Sequence, residues 1–331
     1  MSEIRFDVVG LGNAIVDVIC PVEDKFLDEW DIRKNGMTLI EEDRAEALTA
    51  AGGGQEMSGG SGANTIVGIA SFGGKAAYVG KVAQDRLGDV FRKDIRNEGI
   101  LFDTAPLAEG PATARSIIFV TPDGARSMNT FLGASVLFSQ EDVDRAVVEA
   151  GAITYLEGYL FDREDAKSAF VHAAEIARAS NRMVALTLSD SFCVERHRES
   201  FLHLIKGHVD IVFANEEELL SLYQTTSFDD AIARLGSDTT LAAVTRSEKG
   251  SVVLSGGDVI AVAAEPVEKV VDTTGAGDQY AAGFLYGVAH KLPHEICARL
   301  GHIAAAEVIS HYGPRPETSY RELAIAAGIN L

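Results

Sequence analysis

The sequence predicts an α/β fold: a mostly parallel sheet with helices on both faces, carrying a small β-rich lid. Three observations lead there. Short apolar runs of strand length recur between amphipathic stretches of helical length through most of the chain. Those runs are continuously apolar, the pattern of strands covered on both faces. Two regions break the rhythm. Residues 14–20 and 37–40 read as strands with little helix to pair with them. Residues 115–121 and 126–131 flank the turn sequence Pro122-Asp123-Gly124 as a hairpin.

Taken in order, strands are expected at 7–12, 76–82, 153–157, 183–188, 210–214 and 241–245, and helices at 86–98, 162–180 and 194–206. No Pro- or Ser-rich linker divides the 331 residues, so one domain is expected over 1–331, with a lid drawn from about 14–56 and 112–132. An exposed sheet needs one face covered, either over a ligand cleft or against another subunit. Monomer and homodimer both stay open.

Charge excludes some partners. Lys plus Arg number 29 against 49 Asp plus Glu, a formal net charge of −20. Such a surface repels nucleic acid and anionic lipid, although one local pocket can still hold a small anion. The apolar stretch at residues 1–20 is interrupted by acidic residues and reads as strands, not as a signal peptide, and the longest apolar runs fall short of a membrane span. Cys20, Cys193 and Cys297 are widely spaced with no CxxC pair. That fits structural thiols in a reducing cytoplasm and argues against a zinc site.

The glycine-rich segments decide the chemistry. Gly10-Leu11-Gly12-Asn13-Ala14-Ile15 begins like a dinucleotide fingerprint, but Ile15 stands at the sixth position and a strand follows, so a nicotinamide site is disfavoured. Gly74-Lys75 and Gly80-Lys81 lack the rest of a Walker A loop. In Asp272-Thr273-Thr274-Gly275-Ala276-Gly277-Asp278, small residues give way to a helix. The amides of Gly275, Ala276 and Gly277 can therefore converge at its N-terminus as an anion hole, with Asp278 beside it. A plain helix cap would use the same carboxylate. Gly59-Gly60-Ser61-Gly62-Ala63-Asn64 is a second loop leading into a helix.

The heptapeptide 272–278 resembles the C-terminal signature of the ribokinase-like (PfkB) carbohydrate and nucleoside kinases, D-T-x-G-A-G-D, with every fixed position filled. Residues 59–64 resemble that family's G-G-x-x-x-N element and lie upstream, as they do there. The resemblance covers essentially the whole chain. It implies a phosphotransferase using ATP and Mg²⁺, with Asp278 taking the proton of an attacking primary alcohol. Gly59, Gly60 and Asn64 would hold substrate hydroxyls. Asn13 and Asp17 match an early N-x-x-x-D whose aspartate binds vicinal sugar hydroxyls. Asn215 and Glu218 match N-x-x-E, contacting nucleotide phosphates and, through water, Mg²⁺. Thr245 and Gly250 match T-x-G-x-x-G for ATP, with Ser247 replacing the middle glycine, and Thr274 joins the nucleotide side. Asp272 would help hold a monovalent cation (K⁺), as in cation-activated relatives. Without the resemblance, Asp17 reads as closing a turn and 216–218 as an acidic first helical turn. Asp278, beside a helix N-terminus, is expected to stay ionised.

Segments 155–162, 186–192 and 209–218 look more like adenosine kinases than ribokinases or fructokinases. The expected reaction is therefore adenosine to AMP. Other nucleosides, ribose or fructose are alternatives in the same class, and a non-catalytic binding protein is the alternative outside it. A nucleoside base needs an apolar wall, for which Phe131 and Tyr159 are candidates, with Asn13 as a polar edge. Either aromatic is a core residue by default. Arg126 would close over substrate or phosphates, or stand as a solvated turn residue.

Overall fold

The apolar runs pair into one sheet. The computed structural model describes residues 3–331. Its main sheet contains β1 (Phe6–Leu11), β5 (Ala76–Val79), β8 (Gly151–Glu157), β9 (Met183–Thr187), β10 (Ile211–Asn215), β11 (Leu241–Thr245), β12 (Ser251–Ser255) and β13 (Asp258–Val262). The spatial order is β13-β12-β11-β10-β9-β8-β1-β5. From β5 through β11 every pairing is parallel, while β12 and β13 add an antiparallel edge. That edge hairpin is absent from the sequence expectations.

Successive residues of each strand serve opposite faces. On β10, Ile211 and Phe213 join one core and Val212 and Ala214 the other. The first core is closed by α3 (Ser61–Ser71), α4 (Arg86–Asn97), α10 (Ala276–Ala289), α11 (His294–Val308) and α12 (Tyr320–Ala326). The second is closed by α5 (Arg145–Glu149), α6 (Glu164–Ala179), α7 (Ser191–Gly207), α8 (Glu216–Tyr223) and α9 (Phe228–Asp238). Each large apolar side chain so buried contributes roughly 1.5–3 kcal/mol.

After β1, only residues 12–14 intervene before the chain enters a second sheet at β2 (Ile15–Pro21). With β3 (Met37–Leu39), β4 (Gln55–Gly59), β6 (Ala114–Val120) and β7 (Arg126–Phe131) it forms five strands in the order β3-β7-β6-β2-β4. The segment also contains two helices that sequence reading did not anticipate, α1 (Asp24–Glu29) and α2 (Glu42–Gly52). They cover the sheet: Leu27, Ala45 and Leu48 pack in the same core as Val16, Val18, Ile117 and Phe119. One face of this sheet is thus buried. The other, by strand alternation, carries Asp17, Ser116, Thr130, Met128 and Arg126.

Candidate functional site

The geometry centres on two helix N-termini that meet. Gly275 caps α10 at φ 79°, the left-handed region that glycine enters freely, and a Cβ there would lie 2.7 Å from Pro314. Asp278 follows in the first turn. Its Oδ1 accepts from Ser61 Oγ (2.6 Å) and its Oδ2 from Asn64 Nδ2 (3.2 Å), both on the first turn of α3. The carboxylate therefore bridges the two expected motifs. Burial pushes it up to about 6, against those two hydrogen bonds and with the Asp17 charge adding to the rise. Desolvation thus raises it above an ordinary aspartate, yet the group is still mostly charged at neutral pH.

The anion hole is also narrower than expected. The Ala276 N–H already donates to the Thr273 carbonyl (3.2 Å). Gly275 and Gly277, by contrast, have no protein acceptor for their amides among the described residues. A cavity of about 680 Å³ opens beside them, lined by Ala276, Gly277, Asp278, Asn215, Glu218, Thr245 and Gly250. Most of the residues expected around a nucleotide thus share one wall. Thr274 does not: its N–H and Oγ1 both donate to Asp272 Oδ1 (3.0 and 2.7 Å), and Thr273 lines the cavity in its place. Ser247 also lines it, at φ 51°, so the serine adopts the backbone conformation a glycine would take there at lower cost.

Asn215 and Glu218 form a capping box on α8. Asn215 Oδ1 accepts from the Glu218 N–H (2.8 Å), and the Glu218 carboxylate accepts from the Asn215 N–H (3.0 Å) and Nδ2 (2.6 Å). Each Glu218 oxygen keeps acceptor capacity toward the cavity, which suits ordering a metal-bound water. Burial pushes this carboxyl up to about 7. Among the described residues no cluster of three or more His, Cys, Asp or Glu is placed to ligate a metal directly.

The second half of the site lies on the lid and its hinge. Asp17 is buried on β2 and pushed up to about 6 by desolvation, with Arg315 and Arg126 opposing the rise. Gly59 is required beside it, because a Cβ there would sit 2.4 Å from the Asp17 carboxylate. Asn13 gives its N–H and Nδ2 to Glu157 (both 3.2 Å), which leaves its buried Oδ1 without a protein partner. Gly60 precedes α3 as its N-cap.

Arg126 forms an ion pair with Asp272, while its Nε and Nη2 are buried without acceptors. Asp272 Oδ2 also accepts from the Gly313 N–H (3.1 Å). With Thr274 on Oδ1, all four lone-pair positions of the carboxylate are engaged. A guanidinium thus supplies the positive charge beside Asp272, where a potassium ion is expected.

Neither of the two aromatics expected at a base pocket lines this cavity. Phe131 pairs with Arg115, opposite Val16, and so points to the buried face of the lid, one residue out of phase with Asp17. Tyr159 stands behind the cavity, its hydroxyl donating to the carbonyl of cavity-lining Ser189 (3.3 Å). Sequence reading missed Ser61, Glu157 and Arg315. Ser61 lay within a segment already singled out. Glu157, an acid ending the apolar run 152–156, was a readable signal. Arg315, in the loop after α11, carried none.

The sequence pattern of the pfkB family carbohydrate kinases matches residues 31–319. A crystal structure of adenosine kinase from Sinorhizobium meliloti is 54% identical, covering 98% of this chain and 99% of that one, with a TM-score of 0.90. A probable sugar kinase from Rhizobium etli CFN 42 is 52% identical over 98% of this chain and 99% of its own, with a TM-score of 0.91. Adenosine kinase 1 of Arabidopsis thaliana is 26% identical over 95% of this chain and 97% of its own length.

Proposed function

The chain belongs to the pfkB family of carbohydrate kinases, and on that premise we propose that it phosphorylates the 5′-hydroxyl of adenosine with ATP, giving AMP and ADP. The observation that carries the proposal is the position of Asp278, hydrogen-bonded to the first turn of α3 and bordering the cavity on α10. A hydroxyl that displaces Ser61 from Asp278 Oδ1 would be held against the base. Its oxygen forms the new O–P bond as the proton passes to Asp278, and the bond from the γ-phosphorus to the β-bridging oxygen breaks to release ADP. The Gly275 and Gly277 amides and the α10 dipole face the charge that develops on the phosphoryl oxygens. Mg²⁺, when bound, neutralises phosphate charge, and Glu218 is the residue suited to hold its water shell.

Asp17 suits a vicinal diol, which adenosine and ribose share. Adenosine is favoured by the relatives and by apolar surface near the lid. Met37 and Leu39, on the lid strand β3, are about half exposed. The test is ADP release with MgATP and adenosine, inosine, guanosine, ribose or fructose in turn. Turnover with adenosine supports the reading. Turnover with a sugar alone moves the substrate, and none with any acceptor refutes the kinase assignment.

A further inference from the structure

Asn64 bridges Arg315 and Asp278 through its side-chain amide. On one side Arg315 Nε donates to Asn64 Oδ1 (3.2 Å); on the other Asn64 Nδ2 donates to Asp278 Oδ2 (3.2 Å). Guanidinium is donor-only and a carboxylate is acceptor-only, so these two contacts admit a single orientation of the amide. Turned over, Asn64 would set oxygen against carboxylate and NH₂ against guanidinium.

The rest of the surroundings hold this chain in place. Gln279 Nε2 donates to the Asn64 carbonyl (3.0 Å) and to the Pro314 carbonyl (2.8 Å), tying α3, α10 and the Arg315 loop together. Arg315 is anchored at its far end by Asp94 (3.7 Å), whose Oδ2 also accepts from Ser58 N and Oγ (2.7 and 2.6 Å). Neither Asn64 alone nor Asp278 alone accounts for a largely buried arginine reaching in from a loop after α11.

We propose that Arg315 is a positioning residue for phosphoryl transfer, fixing the Asn64 amide so that its NH₂ donates to the catalytic Asp278 and orients that carboxylate toward the acceptor hydroxyl. The inference rests on the kinase reading above. Atom placement gives a clean test, because the relevant donor is Nε and the Nε2 of a glutamine occupies the same place along the side chain. Arg315→Gln keeps the donor and removes the charge; Arg315→Met removes both at similar length.

The experiment compares kcat and KM of wild type, Arg315→Gln, Arg315→Met, Asn64→Ala and the double variant Arg315→Met/Asn64→Ala, with thermal unfolding of each. Wild-type turnover is measured first, so failure of the kinase reading shows as no activity in any form. The expected result is a kcat about tenfold lower for Arg315→Met, the size of one charge-linked hydrogen bond. KM for ATP should be unchanged, Arg315→Gln should keep most of the rate, and Arg315→Met should have no further effect in the Asn64→Ala background. Equal losses for Gln and Met, or an undiminished loss in the Asn64→Ala background, would overturn the proposal. So would a fall in Tm that accounts for the loss by reduced folded fraction.

Discussion

Replacing Asp17 by asparagine should stabilise the protein while weakening substrate binding. Asp17 is held near pKa 6 in the folded chain against an ordinary 3.8. That difference of about two units corresponds to about 3 kcal/mol, because the folded state binds the proton more tightly than the unfolded one. The sign follows directly. The stability that the protonated group contributes is fully present below pH 3.8 and lost as pH climbs through 6, so above pH 6 the wild type bears the whole cost of a buried charge. A neutral asparagine bears none. Asp17→Asn should therefore match the wild type below pH 4 and gain up to about 3 kcal/mol above pH 6, a rise in Tm of roughly 4 °C for a chain of this size. KM for the nucleoside should rise about a hundredfold, for the loss of two charge-assisted hydrogen bonds to a diol. Urea melts at pH 4 and pH 7.5, with steady-state kinetics at the higher pH, measure both. A lower Tm at pH 7.5 would refute the reasoning and make Asp17 a well-compensated partner of Arg315 and Arg126.

Three further outcomes are expected. With Asp278 near pKa 6, kcat should be flat above pH 7 and fall tenfold per unit below 6, and Asp278→Asn should lose about 10²–10⁴ in kcat with an unchanged circular dichroism spectrum; an acid limb at the same pH in that variant would assign it to another group. Ser247→Gly should raise stability by about 1 kcal/mol in urea melts by relieving a left-handed serine, and a loss would mean that its side chain makes a needed contact. Exchanging K⁺ for Na⁺ or choline at fixed ionic strength should leave kcat within about twofold, since ionic screening is then unchanged; strict K⁺ dependence would refute the reading of Arg126 as the counter-charge of Asp272.

The parallel sheet was legible because buried strands such as 183–188 and 241–245 are apolar on both faces, a signal that survives in a single sequence. The expected strands and helices matched the structure to within a few residues at their ends. In the edge hairpin β12–β13, which was missed, only the outermost strand faces solvent: Asp258, Val259 and Ala261 are exposed while Ser251–Leu254 are buried. Helices α1 and α2 were missed because they bury only a few residues each and their patterns are largely polar. For the site, the residues of contiguous motifs come close to one another: Asp278 and Asn215 line one cavity, and Gly59 lies against Asp17. Side chains whose role depends on tertiary approach were beyond reach. The orientation of Phe131 turns on a strand phase that starts at Asp17, and Arg315 meets Asn64 across 251 positions of sequence.

The pairing of Arg126 with Asp272 has a consequence for how such a chain can change over generations. A bound ion can be replaced by altering one ligand at a time, because solvent supplies another. A counter-charge carried on the hairpin has no substitute in solution. Loss of Arg126 would leave the Asp272 carboxylate its three hydrogen bonds from Thr274 and Gly313 but no counter-charge, and loss of Asp272 would strand a buried guanidinium that already has two donors without partners. The two positions should therefore drift together or not at all. A lineage that lost one would be expected either to lose the other or to recruit an alkali ion in its place.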